Sequence, residues 1–389
     1  MPGFELIGRE EKDLVGEIFD QSNGVLFAHG FVSLRNGRYR VREFEKAFAA
    51  KLGAGHAQAV TSGTIAQYVA MLAMGVQPGD EVITQSFTFV ATVEAIIAIG
   101  AVPVIVDIDD TYNMDPVALE RAITPKTKLI IPVHMLGNIA DMERIHAIAK
   151  RHRIPVLEDG CEALGATYRG KYVGTLAEAG VFSLDFAKTI TTGEGGMIVT
   201  QDDAIQKFCR EYHDHGHESN PAVPRGRDTR SIPGLNFRMT ELQAAVGLAQ
   251  LQKLDTIVSL NRRNKGALKE VLASSQKIRF RRITDEAGDL ADTLIFNFEN
   301  KSLCAAFLKK YLEAGFMTKN VPDAIDWHFS GTWNHMFKGV PAYRDTWQTT
   351  WAKSAQLLDR SVAVPIFVKP TAEAMRAQGE AMLRILDTL

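Results

Sequence analysis

The chain has 389 residues, 46% hydrophobic and 23% charged, enough for a sizeable core shared by one large and one small domain. A formal net charge of −2 gives no global field that would draw it to nucleic acid or to a membrane surface. Its cysteines, Cys161, Cys209 and Cys304, are odd in number and widely spaced, which argues against a disulfide framework or a cysteine metal cluster and for free thiols in a reducing cytoplasm.

The first residues, Met-Pro-Gly-Phe-Glu, carry early charge and do not read as a secretory leader. From about residue 15 to 255, apolar strands at 81–84, 102–107, 128–133 and 156–158 alternate with helical spacing, which predicts an α/β domain with a mostly parallel sheet. The longest apolar stretch, 95–106, is broken by Gly100 and Pro103 and is too short to span a bilayer. After Ala59-Val-Thr-Ser-Gly-Thr the spacing of Ile65, Val69 and Leu72 turns helical. That puts Ser62, Gly63 and Thr64 at a helix N-terminus, where free N–H groups and the helix dipole favour a phosphate. A plain helix cap explains the same three residues.

Further on, Ile154-Pro-Val-Leu-Glu-Asp-Gly-Cys-Glu reads as a buried strand ending at Glu158 and Asp159. A carboxylate at the C-terminal end of such a strand faces the crevice where open α/β sheets bind ligands. The run Val181-Phe-Ser-Leu-Asp-Phe-Ala-Lys-Thr-Ile-Thr-Thr-Gly-Glu-Gly-Gly-Met puts Lys188 at the end of an apolar strand, before a second strand at 196–200. Lysine is seldom buried unless its amine is used, and one use is as a nucleophile toward a carbonyl. Pyridoxal phosphate would need such a lysine, a carboxylate against its ring nitrogen and a phosphate site. Asp159, Lys188, Ser183 and the Ser62–Thr64 turn supply these groups. Each alone has a bland reading, and together they point to that cofactor.

His213, His215 and His217 alternate as ligands on a strand sometimes do, but the surrounding polar loop reads as a substrate loop rather than a metal site. Arg225, Arg227 and Arg230 offer planar donors to a carboxylate or phosphate, or form a solvated basic loop. Leu242, Val246 and Leu254 mark a helix that continues to about residue 272. A smaller α+β domain follows over 256–389, with N-terminal residues packing on it; it has a strand at 293–298 and a helix stopped by Gly315. The stretch carrying Trp327, His328, Trp333 and His335 could hold a sugar or simply fill the core.

The motifs at 37–45, 61–64, 86–92, 132–138, 159, 188 and 234–241 together resemble the DegT-type sugar aminotransferases. The resemblance covers nearly the whole chain. It implies the aspartate-aminotransferase-like (type I) fold with a seven-stranded, mostly parallel sheet, and a homodimer with shared sites. It implies that Lys188 links covalently to pyridoxal 5'-phosphate and moves protons. Asp159 would pair with the ring nitrogen, Gly63, Thr64 and Ser183 would hold the phosphate, and Phe89 would stack on the ring. Asn236 would reach the phosphate of the neighbouring subunit, Arg238 would take the carboxylate of the donor glutamate, and His215 with Gly216 would match a family His-Gly pair. The family usually carries Gln or His where this chain has Glu162, beside the cofactor's phenolic oxygen, so Glu162 either turns away or shares a proton there. The Phe-Ala-Lys-Thr-Ile context with the histidine and arginine loop most resembles members that act on a free acidic sugar, the aldehyde precursor of the lipopolysaccharide sugar 8-amino-3,8-dideoxy-manno-octulosonate. The arginines are compatible with its carboxylate, though a pyrophosphate would use the same groups. A nucleotide-linked keto-deoxy-sugar is the alternative, and a non-enzymatic regulator the remote one.

Overall fold

The structure is a computed structural model and describes residues 3–220 and 222–389. Seven strands build the main sheet: β1 (His56–Val60), β2 (Glu81–Gln85), β3 (Val102–Val106), β4 (Thr127–Ile130), β5 (Leu157–Asp159), β6 (Ala179–Ser183) and β7 (Gly196–Thr200). β2 runs parallel to β3 and β4, and β5 runs parallel to β6. Single parallel bridges, Ile130 with Val156 and Val133 with Asp159, join β4 to β5. β7 runs antiparallel to both β6 and β1. The spatial order is therefore β3-β2-β4-β5-β6-β7-β1, with β7 alone reversed. This is the mostly parallel seven-stranded sheet expected. β4 stops three residues short of the expected 133, and beyond it Val133 keeps only a single bridge, to Asp159 at the end of β5.

Strands covered on both faces read as unbroken apolar runs rather than alternating ones, and β6 and β7 are buried along their whole length. Alternation sorts their side chains between two layers. Val181 faces the layer of Val69 and Ala70, from the helix Gly63–Ala73. Phe182 faces the layer of Phe44 and Phe48, from the helix Arg40–Leu52, with its ring centroid 5.5 Å from that of Phe48.

A single helix, Glu241–Leu272, runs through the expected division at 255 without a break. Thr240 caps it: its hydroxyl accepts from the Gln243 N–H, and the Gln243 side chain accepts from the Thr240 N–H. Beyond it an antiparallel sheet of Arg279–Phe280, Thr293–Asn297 and Ser361–Pro365 packs with the helices Lys301–Glu313 and Ala372–Asp387. Among the contacts that tie this part to the rest, two join segments far apart in the chain. The Glu5 carboxylate accepts from Val368 N–H (3.1 Å) and Lys369 N–H (3.2 Å). The segment 327–330 returns to the C-terminal side of β2, where the N–H groups of Thr88 and Val90 donate to the carbonyls of His328 and Trp327, each at 2.9 Å.

Candidate active site

The carboxyl ends of β5 and β6 and the start of the helix Gly63–Ala73 open into one cavity of about 460 Å³. Ser62 caps that helix, its hydroxyl accepting from Ile65 N–H at 3.2 Å. The first helical N–H groups, at Gly63 and Thr64, have no intrahelical carbonyl to reach. Close packing fixes the turn. A Cβ on Gly63 would lie 2.7 Å from the Ser183 Cβ, and one on Gly196 would lie 2.1 Å from the Ser62 carbonyl oxygen. Glycine at both positions lets the helix N-terminus sit directly against the ends of β6 and β7. Ser62, Gly63, Thr64 and Ser183 consequently share one wall of the cavity.

Asp159, the last residue of β5, is 2% exposed. Its Oδ2 accepts from Gln67 Nε2 at 2.9 Å and Thr92 Oγ1 at 2.8 Å, and its Oδ1 accepts from Cys161 N–H at 3.1 Å. A carboxylate offers about four acceptor positions, so one remains for a donor in the cavity. Gln67 and Thr92 escaped the sequence reading. The available signal was a glutamine on the otherwise apolar helix face of Ala66, Val69 and Ala70. The neighbouring Glu158 turns the other way, into the core, where it meets His134 at 3.1 Å and accepts from the N–H groups of Gly174, Leu176 and Ala177.

Lys188 does not end a strand, as its sequence context suggests. β6 stops at Ser183, and Lys188 lies in the turn that follows, closed by Leu184 N–H to the Gly195 carbonyl and Thr192 N–H to the Leu184 carbonyl. Its amine still enters the cavity, opposite Glu162, with Nζ 3.5 Å from Glu162 Oε1. Glu162 therefore faces the site rather than turning away. Its other oxygen accepts from Leu136 N–H at 3.3 Å. Burial works against both charges, yet each partner wins. Glu162, with Asp185 and Asp159, holds the Lys188 amine above its ordinary value, and Lys188, His328 and Lys319 hold the Glu162 carboxyl below its own. Phe89 is no core aromatic. It stands 40% exposed at the cavity rim, stacked on Trp327 with centroids 6.3 Å apart and tilted against His328. The returning segment brings His328 into the wall, and the stretch 319–321, paired with Ala363, brings Asn320. Trp333, in contrast, is fully buried, its Nε1–H donating to the Asp326 carbonyl, so packing accounts for it.

The histidine–arginine loop lies elsewhere in the chain. His213 closes the helix Asp203–Tyr212 instead of sitting on a strand, and His215 adopts a left-handed φ of 56°. Buried Asp214 gathers two arginines and a histidine ring: Arg225 contacts it with both terminal nitrogens at 2.6 and 2.5 Å, Arg238 at 2.5 Å, and His29 Nε2 at 3.0 Å. Arg238 and Arg225 also lie over the Phe27 ring, 5.0 and 6.0 Å from its centroid. Arg227 and Arg230 are exposed. None of Asn236, Arg238, His215, Arg225, Arg227 and Arg230 lines the Lys188 cavity of its own chain.

The residues present fit pyridoxal phosphate. One free acceptor position on a buried carboxylate, a capped helix N-terminus built on two obligatory glycines, and a cavity lysine lie around one space. The DegT/DnrJ/EryC1/StrS aminotransferase family matches residues 27–382. The chain is 47% identical over 238 residues to the GDP-perosamine synthase of Caulobacter vibrioides, covering 61% of this chain and 62% of that protein. It is 41% identical over 254 residues to the GDP-perosamine synthase of Escherichia coli O157:H7, covering 65% and 66%. The matched stretches thus span just under two thirds of these relatives. Over 99% of its length the chain also superposes on 84% of Bacillus subtilis NtdA, solved with bound PMP, at a TM-score of 0.82 and 28% identity. The fold is the type I fold of pyridoxal-phosphate sugar aminotransferases, and the chain belongs to the DegT/DnrJ/EryC1/StrS aminotransferase family.

Proposed function

We propose that the protein is a homodimeric, pyridoxal-phosphate-dependent aminotransferase that moves an amino group from glutamate to the ketone of a GDP-linked deoxy-sugar. The observation that carries this reading is the meeting of Lys188 and Asp159 in one cavity beneath a helix N-terminus. When bound, the cofactor supplies an electron sink for the substrate carbon that gains or loses a proton. Asp159 holds the ring nitrogen through its unused acceptor position. The N–H groups of Gly63 and Thr64, with the hydroxyls of Ser62 and Ser183, hold the phosphate. Phe89 covers one ring face and excludes water there. The Lys188 amine takes the proton from glutamate's α-carbon and returns one to the sugar carbon.

Asn236 and Arg238 act on the neighbouring subunit, where Arg238 takes a donor carboxylate. The apolar surface of Phe31, Val32 and Leu34, which are 59%, 60% and 51% exposed, supports a second copy of the chain as the partner. The nucleotide-linked ketone is preferred to the octulosonate aldehyde because two relatives are GDP-perosamine synthases. The acidic sugar stays as a second reading for one reason: Arg227 and Arg230 are exposed donors on the loop that carries His215.

The test starts from enzyme converted by glutamate to its amino form, titrated with candidate sugars while the cofactor absorbance is followed. Return of the original band with a GDP-linked 4-keto-6-deoxy-sugar, and none with the octulosonate aldehyde, is the expected result. The reverse pattern would overturn the substrate and leave the aminotransferase standing.

A further inference from the structure

Glu162 Oε1 has three neighbours: Lys188 Nζ at 3.5 Å, Asn320 Nδ2 at 3.5 Å and His328 Nε2 at 3.9 Å. His328 is fixed by its other nitrogen, since Nδ1–H donates to the Ala324 carbonyl at 2.7 Å. Its Nε2 is therefore the free position, and it points at the same carboxylate oxygen that holds the lysine. Both side chains are nearly sealed from solvent, at 8% for His328 and 4% for Glu162. In such a place an anion without a cation is costly. Lys188 must shed its proton before its amine can attack a carbonyl or take a proton from carbon, and at that moment Glu162 loses its cation.

We propose that Glu162 and His328 are the proton store of Lys188: the proton that Nζ sheds crosses Glu162 Oε1 to His328 Nε2, and returns when the amine is recharged. The step balances within the chain. The lysine N–H bond breaks, an imidazole N–H bond forms, the net charge of the pocket is unchanged, and no outside reactant is needed. His328 here is a positioning residue that acts through Lys188.

The surroundings agree. Burial, with Lys188 and Lys319 adding their charges, pushes His328 below its ordinary value against the pull of Glu162, so it is the empty partner while Lys188 is charged. Lys319 cannot replace it, because it is committed to Asp292 at 2.7 Å and to the Thr293 hydroxyl at 2.8 Å. The remaining ionisable groups near Lys188 are Asp159, Cys161 and Asp185. Asp159 has three of its about four acceptor positions filled by Gln67, Thr92 and Cys161 N–H and the last assigned to the cofactor's ring nitrogen, and burial pushes the Cys161 thiol well up, so it keeps its own proton. Asp185 accepts from Ala187 N–H at 2.8 Å and forms no hydrogen bond or ion pair with Glu162 or His328.

The inference rests on Lys188 being the residue whose charge changes in turnover, but its test needs no turnover. The His328 imidazole is titrated by NMR in the full-length, cofactor-free chain. Lys188→Met, which mimics the discharged amine, should raise the His328 midpoint by about one unit or more, the usual effect of removing a near like charge beside a carboxylate. Lys188→Arg, which keeps the charge, should leave it in place. So should the double variant Glu162→Gln/Lys188→Met, in which burial persists and no anion calls for a proton. Lys188→Gln takes the place of Lys188→Met if that variant does not fold. An unchanged midpoint in the discharged variant, or an equal rise in the double variant, would overturn the proposal. Failure of the aminotransferase reading shows up separately, as the absence of a borohydride-trapped adduct on Lys188.

Discussion

Replacing Lys188 by alanine removes the only lysine among the described residues that line the cavity. The variant should still bind pyridoxal phosphate non-covalently, lose the borohydride-trapped adduct and lose turnover by roughly 10²–10⁴-fold or more. Mass spectrometry of the reduced protein and a steady-state assay check this, and near-normal turnover would rule out the assigned role. Asp159→Asn keeps the volume and an acceptor oxygen for Cys161 N–H, puts an amide nitrogen where Thr92 and Gln67 donate, and removes the charge that faces the cavity. Its kcat should fall by roughly 10²–10³, as when one preorganised electrostatic group is lost, while cofactor affinity changes far less. Equal losses in both would mean that Asp159 only anchors the cofactor. The two residues differ in how they are held. Asp159 is pinned by three donors at the end of a strand, whereas Lys188 reaches in from a turn and is oriented mainly by Glu162.

At the scale of elements, the tight fit of β7 under the Ser62–Gly63 turn gives a sharp test. Gly196→Ala sets a methyl group against a backbone carbonyl, so the turn must move. The expected loss is about 1–3 kcal/mol, as for other overpacked sites, with weaker phosphate binding. Thermal melts and cofactor titration read both. A second test concerns the pairing of the helix Arg40–Leu52 with β1, where Glu45 Oε1 accepts from Ala59 N–H at 2.9 Å and Gln58 Nε2 at 2.8 Å. Burial pushes the Glu45 carboxyl up to about 7 from 4.5. Between those values the folded chain keeps a proton that the unfolded chain sheds, so this contribution to stability is full below 4.5 and is lost as pH rises through 7. Glu45→Gln should melt above the parent chain at pH values above 7, and the gap should close toward 4.5; a gap independent of pH would refute the assignment. Much of this level was legible in the sequence. β5 and β7 and the helix after Ser62 follow from apolar runs and caps, and they carry Asp159 and the cavity-lining Ser62, Gly63 and Thr64 with them. What stayed hidden was non-local. His328 reaches the cavity through backbone pairing of 327–330 with 86–90, and Asn320 through pairing of 319–321 with Ala363, neither of which any local periodicity encodes. The alternation of the three histidines comes from helix capping and a left-handed residue, not from a strand.

The whole molecule is tested by complementation. If Asn236 and Arg238 serve the neighbouring subunit, a Lys188→Ala chain mixed with an Asn236→Ala/Arg238→Ala chain should regain activity, because one site of the heterodimer is then intact. The yield should approach a quarter of the parental activity, the share expected when random exchange makes half the dimers mixed and each mixed dimer has one working site of two. No recovery despite proven exchange would mean that each chain builds its own site. The return of the segment around His328 also sets an order of events during synthesis. All seven strands of the large sheet, with Lys188 and Asp159, are complete by residue 200, yet His328 lies 140 residues beyond Lys188. At about 5–20 residues per second, the ribosome needs roughly 7–28 s to supply that wall. The acceptors on Glu5 wait longer still, for Val368 and Lys369. A nascent chain therefore displays its lysine in a half-built pocket for many seconds before the last quarter of the protein closes it.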